Sequence, residues 1–128
     1  MYGRERKVRA RIYHSIITQC LYNFIATPSG LSEWFSDNVT IKNDVYTFHW
    51  DDSQEQAHLL GRKDKEYARF RWLEDEGTNA YFEMRIKIDS LTKDVALIVT
   101  DYAEADEIEE SAMLWDSQIE ELKHVIGS

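Results

Sequence analysis

The fold of this chain is decided by the stretch Thr27-Pro28-Ser29-Gly30-Leu31-Ser32-Glu33-Trp34-Phe35. Threonine is a good N-cap, and proline suits the first helical position because its missing N–H would have no helical partner there. The sequence therefore predicts a short helix that begins after Thr27 and ends near Phe35. It brings two large aromatic side chains, Trp34 and Phe35, to one place, which we expect to be a rim rather than the centre of the core.

The chain before this stretch predicts one strand and one helix. Val8, Ala10 and Ile12 alternate with other residues, which is typical of a half-buried strand. From about Thr18 to Ile25 the apolar residues recur at helical spacing. Two short helices are thus expected between the first strand and the rest of the chain.

After Phe35 apolar residues alternate with period two, which indicates an antiparallel meander. The first two of its strands flank Lys42-Asn43-Asp44, a short polar hairpin turn. Segment 95–100 is apolar at both alternating positions, so we expect this strand to be central in the sheet or covered on both faces. The predicted strands are Val39–Ile41, Val45–Trp50, Gln54–Arg62, Tyr67–Leu73, 81–88 and Val95–Thr100.

The last element, about Ala105–Ile126, is predicted to be a long amphipathic helix. Acidic residues crowd its first turns and Lys123 and His124 lie near its end, as the helix dipole favours. Because its apolar stripe must be buried, we expect an α+β fold with this helix across one face of the sheet. A cavity can remain between the two. The stripe consists of Ile108, Ala112, Trp115, Ile119, Leu122 and Ile126.

Length and composition predict a single domain over residues 1–128, with 1–7 as a flexible N-terminus. A chain of 128 residues that is 43% hydrophobic and 12% aromatic can bury a substantial core. Its single cysteine, Cys20, excludes an internal disulfide and fits a reducing cytosol, and its apolar surroundings predict a buried thiol. We recognise no signal peptide and no run of about 20 apolar residues, so we expect a cytoplasmic protein without a membrane span.

The net charge of −9 argues against a nucleic-acid partner, because phosphate binding relies on clustered Lys and Arg. The charges are separated along the chain. Residues 4–11 carry five basic side chains, whereas 101–121 contains nine acids and no Lys or Arg. Two interpretations stay open: attraction between the outer faces of the first strand and the last helix, or an acidic patch for a basic partner.

A set of aromatic and apolar side chains could line a pocket. Most of the aromatic ones must fill the core of so small a domain, but they also suit the wall of an apolar ligand site. His49 and Arg71 are the polar pocket candidates. Either could instead face outward, and Arg69 and Arg71 could pair across strands with Glu83. The apolar candidates are Trp34, Phe35, Phe48, Trp50, Phe70, Trp72, Phe82, Met84, Trp115 and Ile119.

Sequence motifs for catalysis or metal binding are lacking. The four histidines show no His-x-x-His or Glu-x-x-His spacing, so we predict no metal and no cofactor. Asp51-Asp52 is an acid pair, but it occupies an expected turn, where aspartate is favoured. Neither a Gly-x-Ser-x-Gly motif nor a phosphate-binding glycine loop occurs. We predict no catalytic residue, and an enzyme is the less expected class.

These features resemble the START-like, helix-grip superfamily that includes the birch-pollen allergen, and the small single-domain branch related to the chaperone-ATPase activators. The resemblance implies a curved antiparallel sheet of six to seven strands wrapped around a long C-terminal helix, with two short helices between the first and second strands. Many relatives have a glycine-rich turn after the Trp-Phe pair, which this chain lacks. The likeness is carried by Pro28-Ser29-Gly30-Leu31, Trp34-Phe35, Ala68–Trp72, Trp115 and Leu122.

The resemblance implies a pocket and leaves its occupant open, since the superfamily includes lipid and hormone carriers, polyketide cyclases and chaperone co-factors. Our leading hypothesis is a binding module that holds a small hydrophobic or amphipathic molecule between the sheet and the C-terminal helix. The alternatives are a protein-interaction or chaperone-cofactor domain that uses the acidic helix surface, and a cyclase-like enzyme. A homodimer through a strand edge or through Trp34 and Phe35 stays open.

Overall fold

The computed structural model describes residues 2–4, 7–10 and 14–127, with side chains from Thr18 to Gly127. Ile12, assigned above to the first strand, lies outside the described residues. The strands are β1 (Tyr2–Arg4), β2 (Lys7–Ala10), β3 (Asn38–Lys42), β4 (Val45–Trp50), β5 (Ser53–Lys63), β6 (Tyr67–Trp72), β7 (Phe82–Ile88) and β8 (Val95–Ala103). The helices are α1 (His14–Ala26), α2 (Pro28–Leu31) and α3 (Ile108–Ile126), with short 3-10 helices at Leu73–Asp75 and Ala105–Glu107.

The eight described strands form one antiparallel sheet in the order β1-β8-β7-β6-β5-β4-β3, and β2 also pairs with β8. The predicted meander, the two early helices and the long C-terminal helix are confirmed. The strand count exceeds the expected six to seven because the N-terminal segment pairs with β8 twice, with Arg4 opposite Asp101 and Lys7 opposite Ile98. Within the N-terminal segment, the described residues Tyr2–Arg4 form a strand.

The junction between α1 and α2 carries the predicted cap. Thr27 Oγ1 accepts a hydrogen bond from the Gly30 N–H at 3.0 Å, and the same hydroxyl donates to the Asn23 carbonyl at 2.7 Å. Helix α2 ends at Leu31, four residues before the predicted end. The chain then turns, and the Phe35 N–H donates to the Leu31 carbonyl at 2.9 Å. This turn, not a longer helix, places the aromatic pair.

Turns between the strands also follow the prediction. Asn43 and Asp44 have positive φ angles of 52° and 64°, which is the conformation of a two-residue type I′ hairpin turn. Asp51 and Asp52 form the turn between β4 and β5, so this acid pair has the local role expected of turn aspartates.

One hydrophobic core joins the inner face of the sheet to the helices. Helix α3 contributes Trp115, Ile119 and Leu122 from its predicted stripe. Their burial on one side of the helix explains why apolar residues recur there every three or four positions. Cys20, expected to be buried, is only half-buried. The largest fully buried side chains are Tyr46, Phe48, Phe70, Phe82, Leu21, Ile25, Leu31, Met84, Leu97, Leu122 and Val95.

Strand β8 is internal in the sheet, between β7 and the N-terminal strands. Val95, Leu97 and Val99 are buried, whereas the alternate residues Ala96 and Ile98 are half-buried. Of the two alternatives expected for this strand, the position inside the sheet is therefore confirmed, and full cover on both faces is not found. Ala96 and Ile98 lie on the outer face of the sheet, where they are only partly covered by other residues.

The outer face of β6 and β7 carries a buried carboxylate. Glu83 accepts hydrogen bonds from Arg69 Nε at 2.8 Å and from Arg85 Nε at 2.9 Å. Arg69 lies directly opposite Glu83 in the sheet, as cross-strand pairing predicts. Each guanidinium also covers a tyrosine ring, with Arg85 4.4 Å from the centre of Tyr67 and Arg69 4.7 Å from that of Tyr81. The cluster is a structural element on the side away from the core.

Acid should weaken this cluster. Burial raises the pKa of Glu83, but hydrogen bonds from and attraction to Arg85 and Arg69 outweigh it, so the pKa lies below its ordinary 4.5. A lowered folded-state pKa stabilises the fold above pH 4.5, and this contribution is lost as the pH falls through the folded-state value. We expect Glu83→Gln to cost about 1–3 kcal/mol at pH 7 and progressively less in acid.

Urea denaturation at pH 7 and at a series of lower pH values measures this effect. The exposed Glu121→Gln variant is the control and should change stability little at any pH. A loss for Glu83→Gln that stays the same across the series would contradict the role given to the carboxylate charge.

Candidate functional site

An open cleft of about 560 Å³ lies between the β4–β6 side of the sheet and the N-terminal half of α3. Its lining consists of Phe35, Trp50, Ser53, Glu55, Trp72, Glu74, Asp101, Glu107, Glu110, Ser111, Leu114, Trp115 and Gln118.

Four aromatic rings form the floor of the cleft. Phe35 is central, with its ring centre 5.6 Å from that of Trp115 and 6.0 Å from that of Trp50. Trp72 stacks at 4.8 Å on Phe82, which lies behind it in the core. Trp50 and Trp72 are half-buried, so part of each indole is open to whatever enters.

Three hydrogen bonds join the four parts of the chain around this floor. The Phe35 carbonyl accepts from Trp50 Nε1 at 3.3 Å and from Gln118 Nε2 at 2.9 Å. The Trp115 indole donates to Asp101 Oδ2 at 2.7 Å. The turn after α2, strand β4, strand β8 and helix α3 are thereby linked to one another around the cleft.

Only four of the ten apolar candidates therefore line the cleft. The expectation that Trp34 lies at a rim is wrong, because its side chain is 5% exposed and its indole donates to the Phe24 carbonyl at 2.8 Å. Phe35 is buried as well, but its ring reaches the cleft floor. The other six candidates are packed in the hydrophobic core and do not line the cleft: Trp34, Phe48, Phe70, Phe82, Met84 and Ile119.

The two polar candidates lie away from the cleft. His49 stands between Phe48 and Trp50 on β4, and alternate residues of a strand point to opposite faces. Arg71 is likewise on the outer row of β6, where its Nε donates to the Ala80 carbonyl at 2.8 Å. The prediction that His49 or Arg71 lines the pocket was wrong, because each lies on the opposite face of its strand from its aromatic neighbours.

The polar lining of the cleft was not found from the sequence. Ser111 and Gln118 lie four residues before and three after Trp115, so helical spacing could have placed them on its side of α3. Glu55 lies opposite the buried Phe48 in the β4–β5 register, which turns it toward the inner face. That placement needs the register, and no local pattern supplies it.

Electrostatically the cleft is acidic. Burial raises the pKa of the Glu55 carboxyl, and the neighbouring charge of Glu74 raises it further. Throughout the part of the chain that the structure describes, no three His, Cys, Asp or Glu side chains converge to hold a metal ion. Within the same part, no helix has the length and apolar character needed to cross a membrane.

Comparison with proteins of known structure gives the same fold. BfR322 of Bacteroides fragilis, solved by NMR in solution, is 33% identical over 98% of this chain and 93% of its own, with a TM-score of 0.62. The Aha1 dimer of Colwellia psychrerythraea is 12% identical over 96% and 94%, with a TM-score of 0.70. An uncharacterised protein of Bacillus thuringiensis is 14% identical over 99% and 100%, with a TM-score of 0.75.

The two more distant structures are similar in fold alone. Comparison with curated proteins gives no match. The family model of the START-like superfamily domain matches residues 5–128, which is nearly the whole chain. The helix-grip topology and this match agree, and the chain belongs to the START-like superfamily.

Proposed function

We propose that this protein binds a small hydrophobic or amphipathic molecule in the cleft between the sheet and α3, with no reaction assigned to it. The observation that carries the proposal is the aromatic floor open to about 560 Å³ of space. Small-molecule sites have volumes of about 300–1,000 Å³ and mostly apolar walls with a few polar groups. The half-buried faces of Trp50 and Trp72 would lose water contact on binding, which favours association.

Native mass spectrometry of protein purified gently from its own host tests the proposal. We expect an added mass that disappears on denaturation. A matched pair of variants on α3 ties the mass to the cleft, since Ser111 lines it whereas Ser117 is exposed elsewhere on the helix. Ser111→Trp should fill the cleft and reduce the bound fraction at least about tenfold, and Ser117→Trp should leave it unchanged. A clean unliganded mass, or equal loss in both variants, would refute the proposal.

A second candidate function is protein interaction through α3. Met113 and Leu114 are 72% and 61% exposed on a helix rich in acidic residues, and together they offer an adjacent apolar contact for a partner. A partner chain that co-purifies with the unliganded protein, and is lost in Met113→Glu, would favour this role. Homodimerisation and a cytoplasmic location stay predictions, and a cyclase-like activity has no acid–base pair assigned to it.

A further inference from the structure

The charge of the cleft indicates what kind of molecule it takes. Its lining contains five carboxylates and, among the described side chains, no Lys, Arg or His. Two of the five, Glu107 and Glu110, lie at the start of α3, where they offset the partial positive charge of the helix N-terminus. Asp101 accepts the Trp115 indole hydrogen bond. The other two, Glu55 and Glu74, lie on the opposite side of the cleft.

Glu55 of β5 and Glu74 of the 3-10 helix Leu73–Asp75 line the same cleft. They lie close enough for the charge of Glu74 to act on the Glu55 carboxyl. The ion pairs of the described side chains include neither carboxylate. Both carboxylates are exposed to solvent. Partial burial and the charge of Glu74 both raise the pKa of Glu55, so a bound cation would reduce the repulsion between the two carboxylates.

Indole faces beside this pair favour the same ligand charge. Trp50 and Trp72, the last residues of β4 and β6, line the cleft together with the two carboxylates. The face of an indole attracts a cation and repels an anion. An anionic ligand would therefore meet unfavourable charge from both the carboxylates and the rings, and a neutral ligand would gain no charge–charge attraction.

We propose that the cleft binds an organic cation, an amine or quaternary ammonium joined to an aromatic or alkyl body. The positive group lies between Glu55 and Glu74, and the apolar body lies on Trp50 and Trp72. This inference rests on the proposed ligand-binding function and adds the chemical class of the ligand.

A series of probes with one skeleton and three charges tests the inference. The probes are 1-naphthylmethylamine, which is protonated at neutral pH, neutral 1-naphthylmethanol and anionic 1-naphthoate. Binding is followed by NMR titration of the full chain, with the indole N–H signals of Trp50 and Trp115 as reporters. We expect the amine to bind at least about tenfold more tightly than the alcohol, the naphthoate to bind most weakly, and added salt to weaken the amine alone.

Paired variants decide whether the two carboxylates cause the preference. Glu55→Gln/Glu74→Gln should bring the amine to the affinity of the alcohol without changing the alcohol's own affinity. Glu109→Gln/Glu121→Gln removes the same charge from exposed positions outside the cleft and should keep the preference.

Equal affinities, preference for naphthoate, no binding by any probe, or a preference that survives Glu55→Gln/Glu74→Gln would each overturn the cation inference. Such a result would not contradict the proposed ligand-binding function. That function is tested by the ligand mass in native mass spectrometry and its loss in Ser111→Trp, neither of which depends on ligand charge. A neutral or acidic ligand identified by that mass would likewise overturn the inference while supporting the function.

Discussion

Replacing Gly30 with alanine is expected to destabilise the fold by at least about 3 kcal/mol, because the added methyl group has no room. A Cβ at this position would lie 2.0 Å from the Asn23 carbonyl oxygen and 2.7 Å from the Phe24 Cα, both backbone atoms of α1. No side-chain rotation can relieve contacts with backbone. Helices α1 and α2 would have to separate, and the turn that carries Trp34 and Phe35 would move with them.

Chemical denaturation of Gly30→Ala measures this loss. Gly61→Ala is the control, since its Cβ would meet only the Tyr67 side chain, at ordinary contact distances of 3.7 Å to the hydroxyl oxygen and 4.0 Å to a ring carbon. We expect that variant to stay within about 1 kcal/mol of the parent protein. If both variants lost the same amount, the effect would come from glycine chemistry in general, and the close approach of α2 to α1 would not be the cause.

Trp115→Ala is expected to cost about 3–5 kcal/mol, the range for removing a large buried aromatic side chain. Trp115 is 5% exposed and its ring packs against Phe35 and Phe82, with ring centres 5.6 and 6.2 Å away. Its indole N–H is the donor to Asp101 that fastens α3 to β8. Loss of this side chain enlarges the cleft and opens the core beneath it.

The neighbouring residue provides the control for Trp115. Leu114 is 61% exposed, so Leu114→Ala should change the free energy of unfolding by no more than about 0.5 kcal/mol. Trp115→Phe keeps a ring but removes the donor, and should fall between the two, near 1–2 kcal/mol. Calorimetry or urea titration measures all three. A Trp115→Ala variant as stable as Leu114→Ala would place this tryptophan outside the packed core.

The sequence predicted only some of the residues that line the cleft, and the reason is physical. Hydrophobicity identified Phe35, Trp50, Trp72 and Trp115 as candidates, but it cannot separate a ring that is fully covered from one that reaches a cavity. Both environments select the same residue types. Whether an aromatic belongs to core or cleft depends on how far two elements diverge in space, and that is a property of the assembled fold.

The sequence by itself determined the elements and their order, because each depends on neighbours close along the chain. The Thr27 cap and the stripe of α3 were correctly placed for that reason. Only the tertiary structure decided which side chains meet. The β4–β5 register turns Glu55 inward, and the contact of Gln118 with the Phe35 carbonyl joins residues far apart in the chain. Such pairings are set by packing between elements, which no local pattern encodes.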